Sequence, residues 1–211
     1  FYRMAFLQLG VPAMHSPRIA SALPGAGLLE AISESDILAQ ADSEDADSDG
    51  ISGRPNHVWD PLSKTRRLGR FGWKANQAGL LQQTAAAAFG DMGLTSTLHP
   101  GPTCPPPQRV CRAAEVNGDT VELSDERLAA LTAYLRYLAP PARQRRADPA
   151  VRRGEELFAS AGCMVCHTPT ARTGKNAVPA LSERDIAPFS DLLLHDMGEG
   201  LADGRPDFEA D

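Results

Sequence analysis

Residues 154–169 read GEELFASAGCMVCHTP: a helical run, then Cys163 and Cys166 with two residues between them, then His167. This is the C-x-x-C-H attachment pattern for haem c, in which both thiols bond covalently to the porphyrin vinyl groups and the histidine takes the iron. Two intervening residues let one turn of chain present both sulfurs along one porphyrin edge, and folding back places His167 under the iron. A zinc knuckle would want a second ligand pair nearby, and a redox-active C-x-x-C would want a thioredoxin-like sheet. The sequence offers neither context. The preceding helix fits a haem as well, with Gly154 permitting close helix contact and Phe158 directed back toward the haem edge.

Working outward, Asp148 before Pro149 reads as an N-cap with proline in the first turn, launching a helix through Phe158. The polar, basic joint ARQRRADPAVRR precedes it, and its arginines read as a solvated linker or as partners for haem propionates. A domain boundary is expected at this joint. Residues 1–147 then form an irregular helical region with long loops, and residues 148–211 a cytochrome c-like haem domain, mainly α overall. In the first part Ser33 can cap a short helix. Asn76 precedes QAGLLQQTAAAAF, in which Leu80, Leu81, Thr84 and Ala88 share one face before Gly90 stops it. Ser124 caps SDERLAALTAYLRYLAPP, in which Leu128, Leu131, Leu135 and Leu138 repeat at three and four and Pro140 and Pro141 end the helix.

Composition sets bounds on these readings. Apolar residues make up 42% and charged residues 23%, close to the globular average, and the net charge of −6 argues against nucleic acid as the main partner. The longest apolar runs fall short of the roughly 20 residues that span a bilayer, so no transmembrane segment is expected. FYRMAFLQLG lacks the features of a signal peptide, and a chain opening on Phe1 reads as a mature or trimmed product.

Cys104 and Cys111 bracket a Pro-rich loop, TCPPPQRVC, with no adjacent histidine. A local disulfide is the economical reading, with free thiols or metal ligation as the alternatives. A disulfide would imply an oxidising compartment. In DSEDADSDGISGRPN the residues Asp45, Asp47 and Asp49 alternate ahead of Gly50, the opening of an EF-hand-type calcium loop. The twelfth position is Asn56 instead of a bidentate glutamate, so a standard EF-hand is not expected. A shortened calcium loop and a solvated acidic turn both remain open.

The chain resembles the bacterial di-haem oxidoreductases of peroxidase type, also named thiol oxidoreductases, which are distantly similar to di-haem cytochrome c peroxidases. The resemblance is carried, in order, by GAGLLEAI, DADSDGISGRPNHVWD, GRFGWKA, FGDMGLTSTLHP, YLRYLAPPAR, GEELFASAGCMVCHTP and SDLLLHDMGEGLADGR. It implies a periplasmic C-terminal portion whose second haem domain lies outside this segment, with membrane association through missing segments left open. A small redox protein or a quinol-linked donor would supply electrons. Calcium between haem domains also fits the resemblance. The thiol-oxidase label finds no recognisable dithiol active site. The other reading is a non-catalytic electron carrier or a calcium-stabilised docking module.

The iron's sixth position decides between electron transfer and an open, ligand-binding haem. Met197, just before Gly198 at the end of a short Ser190-capped helix, is the expected ligand. Met92 in FGDMGL is its rival, and His195 is the ligand or a neighbour of the open site. Either methionine could instead merely pack against the porphyrin. Trp59 and Trp73 read as packing residues before electron relays.

Overall fold

The computed structural model describes residues 18–101, 104, 108–113 and 121–204, with the backbone alone at 111 and 112. Helix α1 (Ala26–Glu30) leads into α2 (Glu34–Leu38), where the Ser33 hydroxyl accepts the Asp36 amide at 3.1 Å. Helices α3 (Leu80–Met92), α4 (Arg109–Ala113), α5 (Asp125–Tyr137) and α6 (Pro149–Ser160) follow. Ser124 caps α5 at the Arg127 amide and Asp148 caps α6 at the Ala150 amide, with Pro149 in its first turn. Each cap satisfies an amide that the helix itself leaves unpaired.

Helix α3 departs from expectation at both ends. It begins at Leu80 because Gln77 bridges Phe71 and the Glu30 carboxylate accepts the Leu80 amide at 2.8 Å. It runs through Gly90 and stops at Gly93, whose φ of 72° supplies the left-handed cap.

The strands are short. β1 (Gly53–Arg54) pairs with β6 (Leu194–His195), β2 (His57–Asp60) with β3 (Thr65–Leu68), and β4 (Ala171–Arg172) with β5 (Asp185–Ile186), all antiparallel. This corrects the mainly α expectation and the cytochrome c-like haem domain with it. Downstream of α6 the described residues hold 3-10 turns and short strands but no α-helix. The segment SDLLLHDM shows the cause. Ser190 Oγ accepts the Leu192 amide at 3.1 Å and Asp191 Oδ1 accepts the Leu193 amide at 3.0 Å. Such side-chain bonds offer the backbone an alternative to the helix. Leu192 takes a φ of 62°, and Leu194 and His195 extend opposite Arg54 and Gly53.

Two apolar clusters hold the chain together. In the first, Ala26, Phe71 and Leu80 are buried with Leu29 and Leu135 packed against them. Gly27 lets α1 cross α5, because a Cβ there would lie 2.1 Å from the Arg136 carbonyl oxygen. Besides capping α3, Glu30 pairs with Arg136 of α5 at 2.7 Å, so one carboxylate ties three helices together. Of the expected α5 stripe Leu128 is buried, whereas Leu131 is exposed. In the second cluster Ile32, Ile37 and Leu68 are covered by Ala171, Ile186, Leu192 and Leu193. Ile32 also bridges Thr173, and the Gly174 amide donates to the Ala31 carbonyl at 2.8 Å. Residues on both sides of position 147 therefore share one core.

Candidate haem site

Helix α6 delivers the motif. The chain turns at Gly162 (φ 79°), Cys163–Val165 make one 3-10 turn, and the His167 amide closes it on the Cys163 carbonyl at 2.9 Å. Both thiols and the imidazole thus hang from a single turn. Cys163 and Cys166 are half-buried and free. The exposed His167 donates from Nδ1 to the Phe189 carbonyl oxygen at 3.0 Å, which leaves Nε2 as the nitrogen available to a metal. This division of the two ring nitrogens orients an imidazole for a metal. The Phe158 ring of α6 lies 6.1 Å from the His167 ring and meets Phe189 edge-on at 5.8 Å.

The apolar surroundings are left uncovered. No residue of α6 is buried, a Cβ on Gly154 would meet nothing within 4 Å, and Leu157, Val165, Phe189 and Leu201 are all exposed. Two free thiols, an imidazole with Nε2 to spare and uncovered apolar side chains fit a haem.

A cavity of about 480 Å³ opens beside Cys166, lined by Gly50, Ile51 and Ser52 from the loop ahead of β1 and by Cys166, His195, Asp196 and Met197. His195 is fixed there, its Nε2 2.7 Å from Oδ2 of the buried Asp191 and its Nδ1 3.9 Å from Cys166 Sγ. Burial, then the charges of Asp191 and Asp49, push the Cys166 thiol above its ordinary pKa. That is the reverse of a thiol tuned for redox catalysis, in which the pKa falls. Met197 is 65% exposed at this cavity, while Met92, 61% exposed at the end of α3, does not line it.

The acidic loop is rearranged relative to the alternating pattern. Asp42, Asp45 and Asp47 bring carboxylate oxygens within 4.8 Å of one another, whereas Asp49 Oδ1 accepts the Ile51 amide at 2.8 Å. Asn56, the twelfth position, is fully buried and donates from Nδ2 to the Lys74 carbonyl at 2.7 Å. The expected Cys104–Cys111 bridge rests on the Cys111 side chain, which lies outside the described residues. Trp59 and Trp73 are exposed and do not line the cavity, and the Trp73 indole donates to the Ile19 carbonyl at 2.6 Å. Arg143 and Arg145 are paired with Glu155 and Asp148.

Three residues with a part in this geometry escaped the motif reading. Phe189 acts through its carbonyl, which no residue pattern reports. Asp191 carried a signal, a carboxylate four residues before a histidine. Asp42 stood at the head of the acidic stretch, outside the strict alternation.

No helix among the described residues is long and apolar enough to cross a membrane. No curated protein and no solved structure matches this chain. A family described as "Di-haem oxidoreductase, putative peroxidase" matches residues 11–211, and with the haem-compatible turn at Cys163, Cys166 and His167 the chain belongs to that family.

Proposed function

We propose that this chain is the haem c electron-transfer portion of a periplasmic di-haem oxidoreductase of peroxidase type. The observation that carries the reading is His167, with Nδ1 on the Phe189 carbonyl and Nε2 left for iron, on the same turn as two free thiols. The sequence holds one C-x-x-C-H, so the second haem is held by residues outside it. When bound, haem supplies one-electron transfer.

The chain's own residues divide the work. Cys163 and Cys166 would hold the haem covalently, His167 would bind its iron through Nε2, and Phe158 and Phe189 keep the imidazole in place. Met197, at the cavity beside Cys166, would supply a thioether ligand to that iron. A thioether favours ferrous iron and raises the potential, which suits electron transfer. His195 is the weaker candidate because the nitrogen that Asp191 leaves, Nδ1, faces Cys166 Sγ at 3.9 Å. Met92 lies away from the cavity lining. A calcium ion would take Asp42, Asp45 and Asp47. Titration calorimetry with calcium checks that assignment, and a flat titration removes it. A Cys104–Cys111 disulfide agrees with an oxidising periplasm. The electron partner is a small redox protein or a quinol-linked donor.

Expression in a host that matures c-type cytochromes tests the reading. Mass spectrometry should find one haem adduct on this chain that survives denaturation, and an unmodified mass ends the proposal. Peroxide turnover by the enzyme with both haems supports the peroxidase assignment, and its absence favours the electron carrier.

A further inference from the structure

We infer that Asp203, gripped by Lys74 and Arg18, is a positioning residue that holds the loop of Met197 at the haem cavity. This rests on the reading of Met197 as the iron's sulfur ligand. Met197 stands between two anchors. Ahead of it, His195 pairs with Gly53 across the β1–β6 sheet. Behind it, the chain makes one turn in which the Asp196 carboxylate accepts the Gly198 amide at 2.8 Å and the Gly198 carbonyl accepts the Leu201 and Ala202 amides at 3.1 and 3.3 Å.

Every residue from 196 to 202 is exposed, so no apolar packing fixes this turn. Asp203 is the next residue that turns inward. Its Oδ1 lies 2.7 Å from Lys74 Nζ and its Oδ2 pairs with Arg18, with all three side chains at least three-quarters buried. An ion pair out of solvent resists screening far better than a surface one. Lys74 is itself fixed, because its carbonyl accepts the side-chain amide of the fully buried Asn56. Asn56 lies two residues after β1, the strand that holds His195. Both anchors of the methionine loop therefore trace to one corner of the N-terminal part. Releasing either lets Met197 sweep an arc, and ordering even one freed backbone residue costs about a tenfold factor in an equilibrium.

Asp203→Asn tests this in the full chain. Without haem, amide exchange at Leu201 and Ala202 should accelerate while α3 and α5 keep their protection. With haem, the ferric thioether charge-transfer band should weaken and cyanide should bind about tenfold more tightly. Asp203→Glu, which keeps the charge facing Lys74 and Arg18, should restore the band. If Asp203→Asn hinders haem loading, Lys74→Gln and the haem-free exchange still decide. Wild-type exchange, band and cyanide affinity in Asp203→Asn, alongside loss of the band in Met197→Ala, would overturn the inference and leave Met197 as ligand. An unchanged band in Met197→Ala would overturn both.

Discussion

The helices α1, α3 and α5 and the turn that follows α6 differ in what finishes them. Around Gly27 and Glu30 the chain completes itself: apolar side chains are buried, the start of α3 is capped, and the charge of Arg136 is met. Around Cys163 the chain stops short, with no buried residue in α6 and with Leu157, Val165 and Phe189 facing outward. The first region is stabilised by its own packing. If the second region holds the haem proposed for it, binding and ordering are one quantity there.

The largest effect should follow from withholding the haem. The double variant Cys163→Ser/Cys166→Ser, made in a maturation-competent host, should lose amide protection and gain protease sensitivity through α6 while α3 and α5 keep theirs. The local loss should exceed about 4 kcal/mol, the value reached by a reversible ligand at a thousandfold over its Kd. Equal protection of α6 in both forms would break the contrast.

Gly27→Ala should strike the other region. The new Cβ would collide with the backbone of Arg136, not with a flexible side chain, and should cost about 3 kcal/mol by urea unfolding. The haem spectrum should not change. A cost within experimental error would mean that α1 and α5 can separate without loss.

Asp60 sharpens the comparison through pH. Burial alone would raise its pKa, but bonds from the Ser63 hydroxyl and from the Leu62 and Ser63 amides, with the charge of Arg67, outweigh it and hold the carboxyl below its ordinary 3.8. With the folded value below the unfolded one, the carboxylate's stabilisation is complete above pH 3.8 and is lost as pH falls through the depressed value. Asp60→Asn should therefore cost about 2 kcal/mol at pH 7. That difference from the wild type should close only in the acid limb, and a gap that persisted there would assign the effect to packing.

What could be read from sequence was local. Ser33, Ser124 and the Asp148-Pro149 pair each act on an amide two or three residues away, so their roles were visible along the chain. The single turn that carries Cys163, Cys166 and His167 was legible for the same reason. SDLLLHDM was misread as a helix on two counts: Ser190 and Asp191 bond amides two residues on, which its sequence could have suggested, and Leu194 and His195 pair with Arg54 and Gly53, some 140 residues earlier, which a one-dimensional pattern cannot supply. The early start given to α3 failed in the same way, since the carboxylate that sets its first turn comes from Glu30. Asp42 joined the acidic group, and Asp49 left it, because loop geometry and not alternation chooses which oxygens converge.

The core shared by Ile32, Leu68, Ala171 and Leu193 bears on how the polypeptide matures. A chain made from its amino end can bring Ala26, Phe71, Leu80 and Leu135 together well before synthesis reaches the haem motif. The cluster around Ile32 must wait until residue 193 has emerged, and closing so long a loop is slow. For that interval Ile32, Ile37 and Leu68 lie open to whatever first meets them. The stretch after position 147 is consequently a poor cassette for transplantation: cut out alone, it would leave half of a core on each fragment.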